Sequence, residues 1–210
     1  LVFVPLLVAT GWRVWSGDSH WSSAWFYAGV PLGLIASSIS LIGVLQLADS
    51  LDQTRYLVGE SLLAIFYGGS ASLFGYLNQC KMNIKRERKI HSNIAKLFVF
   101  ILSTLPLMVG MHNYTGIFAF YDFSTVFTFV AIASAFLLIN RDESKSICLL
   151  ICEAMVMISL ASVLIALVSY NFYQGYPTLT GPSIAIGILG PLYGSFTIFV
   201  CIIFFPETDL

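Results

Sequence analysis

The sequence predicts an all-α polytopic membrane protein, a bundle of six membrane-spanning helices with an additional segment at its N-terminus. Two observations predict this class. Hydrophobic residues make up 58% of the chain and charged residues only 10%, whereas a soluble domain carries roughly 25% charged residues. So few charges cannot cover a surface that faces water. The 210 residues also leave room for about six or seven apolar stretches of the length that crosses a bilayer.

The N-terminal unit, residues 1–26, is apolar and rich in tryptophan. Residues 1–15 are too short to cross the hydrocarbon core of a bilayer, which is about 30 Å thick. Tryptophan favours the interface between membrane and water. The four tryptophans of the chain are Trp12, Trp15, Trp21 and Trp25. Two interpretations are open: an interfacial helix, or part of a seventh span.

The second unit, residues 27–206, contains six apolar stretches. They are separated by charged residues, Gly, Pro and Asn, which are typical of loops at a membrane surface. The predicted spans are 27–48, 56–79, 97–111, 116–139, 146–170 and 182–205. Pro106 predicts a kink in the third span. Residues 207–210 form a C-terminal tail.

Basic residues predict how the bundle is oriented. Five of them follow the second span in a dense cluster: Lys81, Lys85, Arg86, Arg88 and Lys89. In a six-span topology, nine of the ten Lys and Arg residues lie on one side, and only Arg55 lies on the other. By the positive-inside rule the 80–96 loop and the C-terminus face the cytoplasm, in a plasma membrane or an organelle membrane. The net charge of −1 gives no attraction for nucleic acid.

Three acidic residues lie within predicted spans: Glu60, Asp122 and Glu153. An ionised carboxylate is costly in hydrocarbon, so each should face protein, pair with another group, or hold a proton. Asp122 is the deepest of the three, and Tyr121, Ser124 and Thr125 can offer it hydrogen bonds. A role in proton coupling and a structural hydrogen bond are therefore both open for Asp122.

Small residues mark the predicted helix contacts in the second and last spans. Glycines let helices approach closely, and packing is the simpler interpretation. The alternative is that they give a solute access to the backbone, as in transporters with broken helices. The residues concerned are Gly68, Gly69, Ser70, Ala71, Ser72 and Gly75 in the second span, and Gly187, Gly190 and Gly194 with Pro191 in the last.

No motif predicts an enzyme. The four cysteines, Cys80, Cys148, Cys152 and Cys201, follow no recognisable disulfide or metal-binding spacing. Cys148 and Cys152 share a helix face, but no His stands near them to complete a metal site, so we interpret all four as small apolar residues. Phosphate-binding and dinucleotide-binding motifs are also missing. We expect no catalytic residue, metal or cofactor.

Two short motifs resemble a known family. Pro31-Leu32-Gly33-Leu34 opens the first span, and Ile65-Phe66-Tyr67-Gly68-Gly69 precedes the basic loop. They resemble the acetate uptake transporter family, which includes bacterial succinate–acetate permeases and fungal acetate and ammonia transport proteins. The resemblance implies six spans with both ends inside, a ring-shaped hexamer and a solute path in each protomer. The matched path positions are Pro31, Leu32, Gly33, Leu34, Phe66, Tyr67, Gly68 and Gly69.

The leading functional hypothesis is a channel or secondary transporter for a small solute. A short monocarboxylate such as acetate fits best, with proton coupling through Asp122, Glu60 or Glu153, in a homo-oligomer. The alternative is a non-catalytic accessory subunit whose aromatic residues and glycines pack against other membrane chains. A third hypothesis, a receptor-like protein with seven spans, requires residues 1–15 to complete a span.

Overall fold

A computed structural model describes residues 2–17, 21–47, 51–79, 93–114, 116, 120, 122–139, 146–172 and 177–205. Within these residues the chain forms seven α-helices. They are α1 (Phe3–Ser16), α2 (Trp21–Leu47), α3 (Leu51–Gln79), α4 (Asn93–Tyr114), α5 (Phe123–Ile139), α6 (Ile147–Phe172) and α7 (Pro177–Phe204). Five of them, α2, α3, α4, α6 and α7, are long and apolar enough to cross a membrane, and α5 is apolar but shorter. The predicted all-α membrane class is confirmed.

Several helices differ in their bounds from the predicted spans. α2 begins at Trp21 rather than at residue 27, because the Trp-rich segment packs on α3. There the rings of Trp21 and Trp25 lie 5.7 and 5.8 Å from the ring of Phe74. α5 begins at Phe123 rather than at residue 116. Gly116 has a φ of +83°, a left-handed conformation that suits glycine and departs from helical geometry.

α2 is the central helix of the bundle. It contacts α1, α3, α4 and α7, and the side chains of Leu32, Ile35 and Ile39 are fully buried. α3, α4 and α6 instead present many exposed apolar side chains, as helices that face lipid do. The other helices therefore shield most of α2 from the surroundings, while Val30 and Leu45 remain exposed.

α1 packs within the bundle, along α2 and α4, and also contacts α7. Its 14 residues extend about 21 Å at the helical rise. Leu6 and Ala9 are buried, and Arg13, near its C-terminal end, is only 1% exposed. A buried arginine must find hydrogen-bond acceptors, because an unpaired charge in an apolar interior is costly.

Arg13 finds these acceptors at the end of α7. Its Nε donates to the carbonyl oxygen of Ile202, and its Nη2 donates to that of Phe205, both at 2.9 Å. The last carbonyl groups of a helix have no partner within the helix, and they carry the negative end of the helix dipole. Arg13 therefore satisfies two of these carbonyls and places a positive charge beside them.

Two further side chains complete this arrangement. Trp12 Nε1 donates to the carbonyl of Ile203 at 3.3 Å, and Lys96 Nζ donates to the carbonyl of Phe204 at 3.0 Å. The end of α1, the start of α4 and the end of α7 therefore lie on the same side of the bundle, as the charge count predicts. The basic cluster that carries most of that count, Lys81, Lys85, Arg86, Arg88 and Lys89, lies outside the described residues.

Candidate functional site

The two motifs of the predicted path meet at the contact between α2 and α3. A Cβ atom built on Gly68 would lie 2.5 Å from the carbonyl oxygen of Gly29 and 2.7 Å from the Cα of Gly33. All of these neighbours are backbone atoms. The two helices therefore touch along this line and leave no space there for a solute.

A serine hydroxyl strengthens the same contact. Ser72 Oγ on α3 accepts a hydrogen bond from the backbone N–H of Val30 at 2.9 Å and donates to the carbonyl of Phe26 at 2.8 Å. Val30 and Phe26 are four residues apart on α2, so the hydroxyl bridges two groups that an α-helix ordinarily joins directly. Inserting a side chain into this ladder bends a helix, and here it occurs beside Pro31.

The positions of the two motifs do not surround one space. Leu32 is fully buried in the core, and Gly33 and Gly68 lie in the close contact. Phe66 is 66% exposed on the outer face of α3. A Cβ on Gly69 would meet nothing within 4 Å. Most of the motif residues thus pack helices or face outward.

Two motif residues, Pro31 and Leu34, line a groove of about 790 Å³ between α2, α6 and α7. Its wall on α6 runs from Leu149 to Val163, about 21 Å at the helical rise. That length is a large part of a hydrocarbon core of about 30 Å. The volume is in the range of small-molecule sites, about 300–1,000 Å³.

The groove is apolar except at a few points. Its polar side chains are those of Cys152, Glu153, Ser159 and Ser195. Ser159 Oγ donates to the carbonyl of Met155 on its own helix at 2.6 Å. Apolar walls with a few polar groups are the usual composition of a ligand site. Glu153 is the one predicted intramembrane acid that lines this groove.

Glu60 lies in a different place. It lines a cavity of about 280 Å³ together with Phe3, Ser40 and Tyr67. The hydroxyl of Tyr56, one turn earlier on α3, donates to Glu60 Oε1 at 2.8 Å. Glu60 therefore belongs to a small cavity at the contact of α1 with α2 and α3.

Asp122 directly precedes α5 and does not lie within a span. Its Oδ2 accepts hydrogen bonds from the backbone N–H of Thr125, at 3.3 Å, and from the Thr125 hydroxyl. This is the geometry of a helix N-cap. The backbone N–H of Asp122 donates to the Tyr193 hydroxyl at 3.1 Å, and that hydroxyl donates to the carbonyl of Phe120 at 2.8 Å. The carboxylate thus starts a helix, and its backbone ties that helix to α7.

The structure brings Cys201 next to Cys148 and Cys152, the two cysteines that share a face of α6. The sulfur atoms of Cys148, Cys152 and Cys201 all lie within 4.8 Å of one another. The first two are one turn apart on α6, which is visible in the sequence, but the third comes from α7. Only the packing of α6 on α7 reveals it. Of the three, Cys152 also lines the groove.

Comparison of the chain with protein-family models, with curated proteins and with solved structures finds no match. The resemblance to acetate uptake transporters therefore depends on the two short motifs alone. In the structure those motifs meet at the contact of Gly33 with Gly68.

Proposed function

We propose that the protein is a channel or secondary transporter for a small solute, and that the solute occupies the groove between α2, α6 and α7. The observation that carries this proposal is the groove itself. It has the volume of a ligand site, follows α6 for about 21 Å, and includes Pro31 and Leu34 of the first motif. This proposal moves the path from the α2–α3 contact to another face of α2.

A short monocarboxylic acid in its protonated form fits this groove. The apolar walls disfavour an anion, because removing a charge from water is costly without a partner. A neutral acid needs only a few hydrogen bonds, which Glu153, Ser159 and Ser195 can offer. Proton coupling then requires a group that holds a proton within the groove. Glu153 takes that role in the proposal, ahead of Glu60 and Asp122.

The oligomer and the membrane belong to the same proposal. A homo-oligomer, hexameric as the resemblance implies, sits in a plasma or organelle membrane with the 80–96 loop and the C-terminus in the cytoplasm. Arg13, Lys96 and the end of α7 lie on the same side of the bundle, and this common side supports the orientation. The excess of basic residues on that side indicates that this side faces the cytoplasm.

The test is uptake of labelled acetate, propionate and butyrate by reconstituted vesicles under an imposed pH gradient. We expect Val156→Trp to lower the flux at least about tenfold, because the large indole ring fills the groove. Val168→Trp is the matched control. Val168 is also a valine of α6 and is 55% exposed, close to the 48% of Val156, but it does not line the groove. Absence of uptake of any of these acids, or full flux through Val156→Trp, contradicts the proposal.

The coupling role is tested separately. Glu153→Gln should remove the stimulation of uptake by the pH gradient, since the amide of glutamine does not gain or lose a proton in water as a carboxyl group does. Glu60→Gln lies in the other cavity and should leave the stimulation intact. The reverse result would assign the coupling to Glu60.

A second function, an accessory subunit of a larger membrane complex, is favoured by one observation. The groove is open on one side, where Met157 and Leu160 line it while 62% and 57% exposed. A helix of another membrane protein can lie against such a face. Purification from native membranes distinguishes the two functions. A ring of identical chains supports the transporter, and a stable complex with different chains supports the subunit.

A further inference from the structure

The three clustered thiols form an arrangement that neither transport nor helix packing requires. Cys148 and Cys201 are 2% and 4% exposed, and Cys152 is partly buried. They come from two helices that pack closely: a Cβ on Gly194 of α7 would lie 3.0 Å from the carbonyl of Met155 on α6. The backbones that carry the thiols are therefore held at a fixed separation.

The spacing of the sulfur atoms suits a single ion. With a metal–sulfur bond of about 2.3 Å, three sulfurs arranged around one ion stand about 4 Å apart. The observed sulfurs all lie within 4.8 Å of one another. Small side-chain adjustments are enough to bring all three into contact with a common ion.

The ligand set indicates which ion. Thiolates are soft ligands, and they select Cu(I), Zn(II) or iron–sulfur clusters. Structural zinc sites take four ligands, and iron–sulfur clusters are held by four thiolates. Among the described residues this group supplies three ligands. Cu(I) is a soft ion that is commonly held by two or three sulfurs, so a group of three thiols suits it without a fourth ligand.

Access to the cluster is provided by the groove. Cys152 lines it, so an ion can reach the first sulfur without separating α6 from α7. The cluster lies near the N-terminal end of α6 and the C-terminal end of α7, the side that the basic residues assign to the cytoplasm. Thiols stay reduced in that compartment.

The geometry points to a three-coordinate Cu(I) site formed by Cys148, Cys152 and Cys201. The ion keeps its oxidation state on binding. Each thiol that binds as a thiolate releases its proton to water, so binding weakens as the pH falls. This site is independent of the solute that the groove carries, and a protein that transports no acid can still hold the ion.

The experiment uses the full chain with Cys80→Ser, so that the three clustered thiols are the only cysteines of the sequence. The purified, reduced protein is titrated with Cu(I) without oxygen, in competition with a chromogenic Cu(I) chelator. We expect one Cu(I) per chain. X-ray absorption should show three sulfur neighbours at about 2.3 Å.

Removing one ligand gives the decisive comparison. Cys201→Ser should weaken Cu(I) binding by more than the roughly 10–100-fold that loss of an outer-shell group costs at a metal site. Cys152→Ser gives the same test at a partly exposed position, should Cys201→Ser fail to fold. The parent protein with intact Cys80 should bind with unchanged affinity. Unchanged affinity after removal of Cys201 or Cys152, no Cu(I) binding by the parent, or tighter binding of Zn(II) than of Cu(I) each overturns the assignment.

Discussion

The α2–α3 pair and the α6–α7 pair both use glycine to bring two helices together, but the glycines face different atoms. In the first pair a Cβ on Gly68 would meet backbone atoms of Gly29 and Gly33. In the second pair a Cβ on Gly190 would meet the side chain of Ser162, at 1.7 Å from Oγ and 2.5 Å from Cβ. One contact is therefore closed by the main chain. The other is closed at Gly190 by a side chain that can be exchanged, although at Gly194 a backbone carbonyl, that of Met155, also lies close.

The two pairs also differ in the hydrogen bonds that cross the contact between their helices. In the first pair Ser72 bonds to the backbone of α2, and Ser61 Oγ lies 2.7 Å from Ser37 Oγ across the contact. In the second pair Ser162 donates to the carbonyl of Ser159 on its own helix at 2.8 Å, and Ser159 Oγ lies within hydrogen-bond distance of the carbonyl of Gly190 across the contact, at 3.3 Å. Both pairs thus have cross-helix hydrogen bonds, and these two of the first pair are shorter. The second pair lies beside an open groove, and its cross-helix bond is the longer one, from Ser159 to Gly190.

Gly68→Ala should have the largest effect on stability. The added methyl group meets backbone atoms on α2 that cannot move without separating the helices, so we expect a loss above about 3 kcal/mol, beyond the usual range for overpacking. Denaturant unfolding of the purified protein in detergent measures this loss. A loss below about 1 kcal/mol would mean that the two backbones are not in contact.

Gly190→Ala should cost less, about 1–3 kcal/mol, because the clash is with one serine side chain. Adding Ser162→Gly to the same chain removes both clashing atoms and should restore most of the stability. The comparison of single and double variants by the same unfolding assay is the measurement. No recovery in the double variant would show that the backbone of α6, and not Ser162, limits this contact.

Ser72→Ala should destabilise by about 1 kcal/mol, the usual net value of a hydrogen bond, because α2 can partly re-form its own ladder. Ser162→Ala is the control, since that hydroxyl bonds only within its own turn. If both variants lose the same free energy of unfolding, Ser72 does not bridge the two helices. The same denaturant assay resolves the difference.

Gly69→Ala should have the smallest effect and the opposite sign. The added methyl group meets nothing within 4 Å, and alanine is favoured over glycine in a helix by up to about 1 kcal/mol. The variant differs from Gly68→Ala by one position, so it also controls for the general effect of alanine in α3. A loss of stability here would show that this face of α3 is covered.

The sequence predicts well what depends on composition and less well what depends on packing. The membrane class follows from the apolar composition, and the small-residue pattern of α3 predicts the packing role of its glycines. The apolar residues around Asp122 predict that it lies within a span, and this prediction is wrong because the helix begins after it. Cys201 could not be grouped with Cys148 and Cys152, because nothing in the spacing of the chain links α6 to the end of α7.

The side chains that close the end of α7 have a consequence for how the protein is made. α1 and α4 leave the ribosome well before α7, yet the acceptors for Arg13, Trp12 and Lys96 are the carbonyls of α7. Until α7 is inserted, Arg13 has to remain in contact with water or lipid headgroups. α1 can therefore take its final place only after α7 has been synthesised and inserted. A chain stopped before α7 should present Arg13 to the quality-control machinery of the membrane.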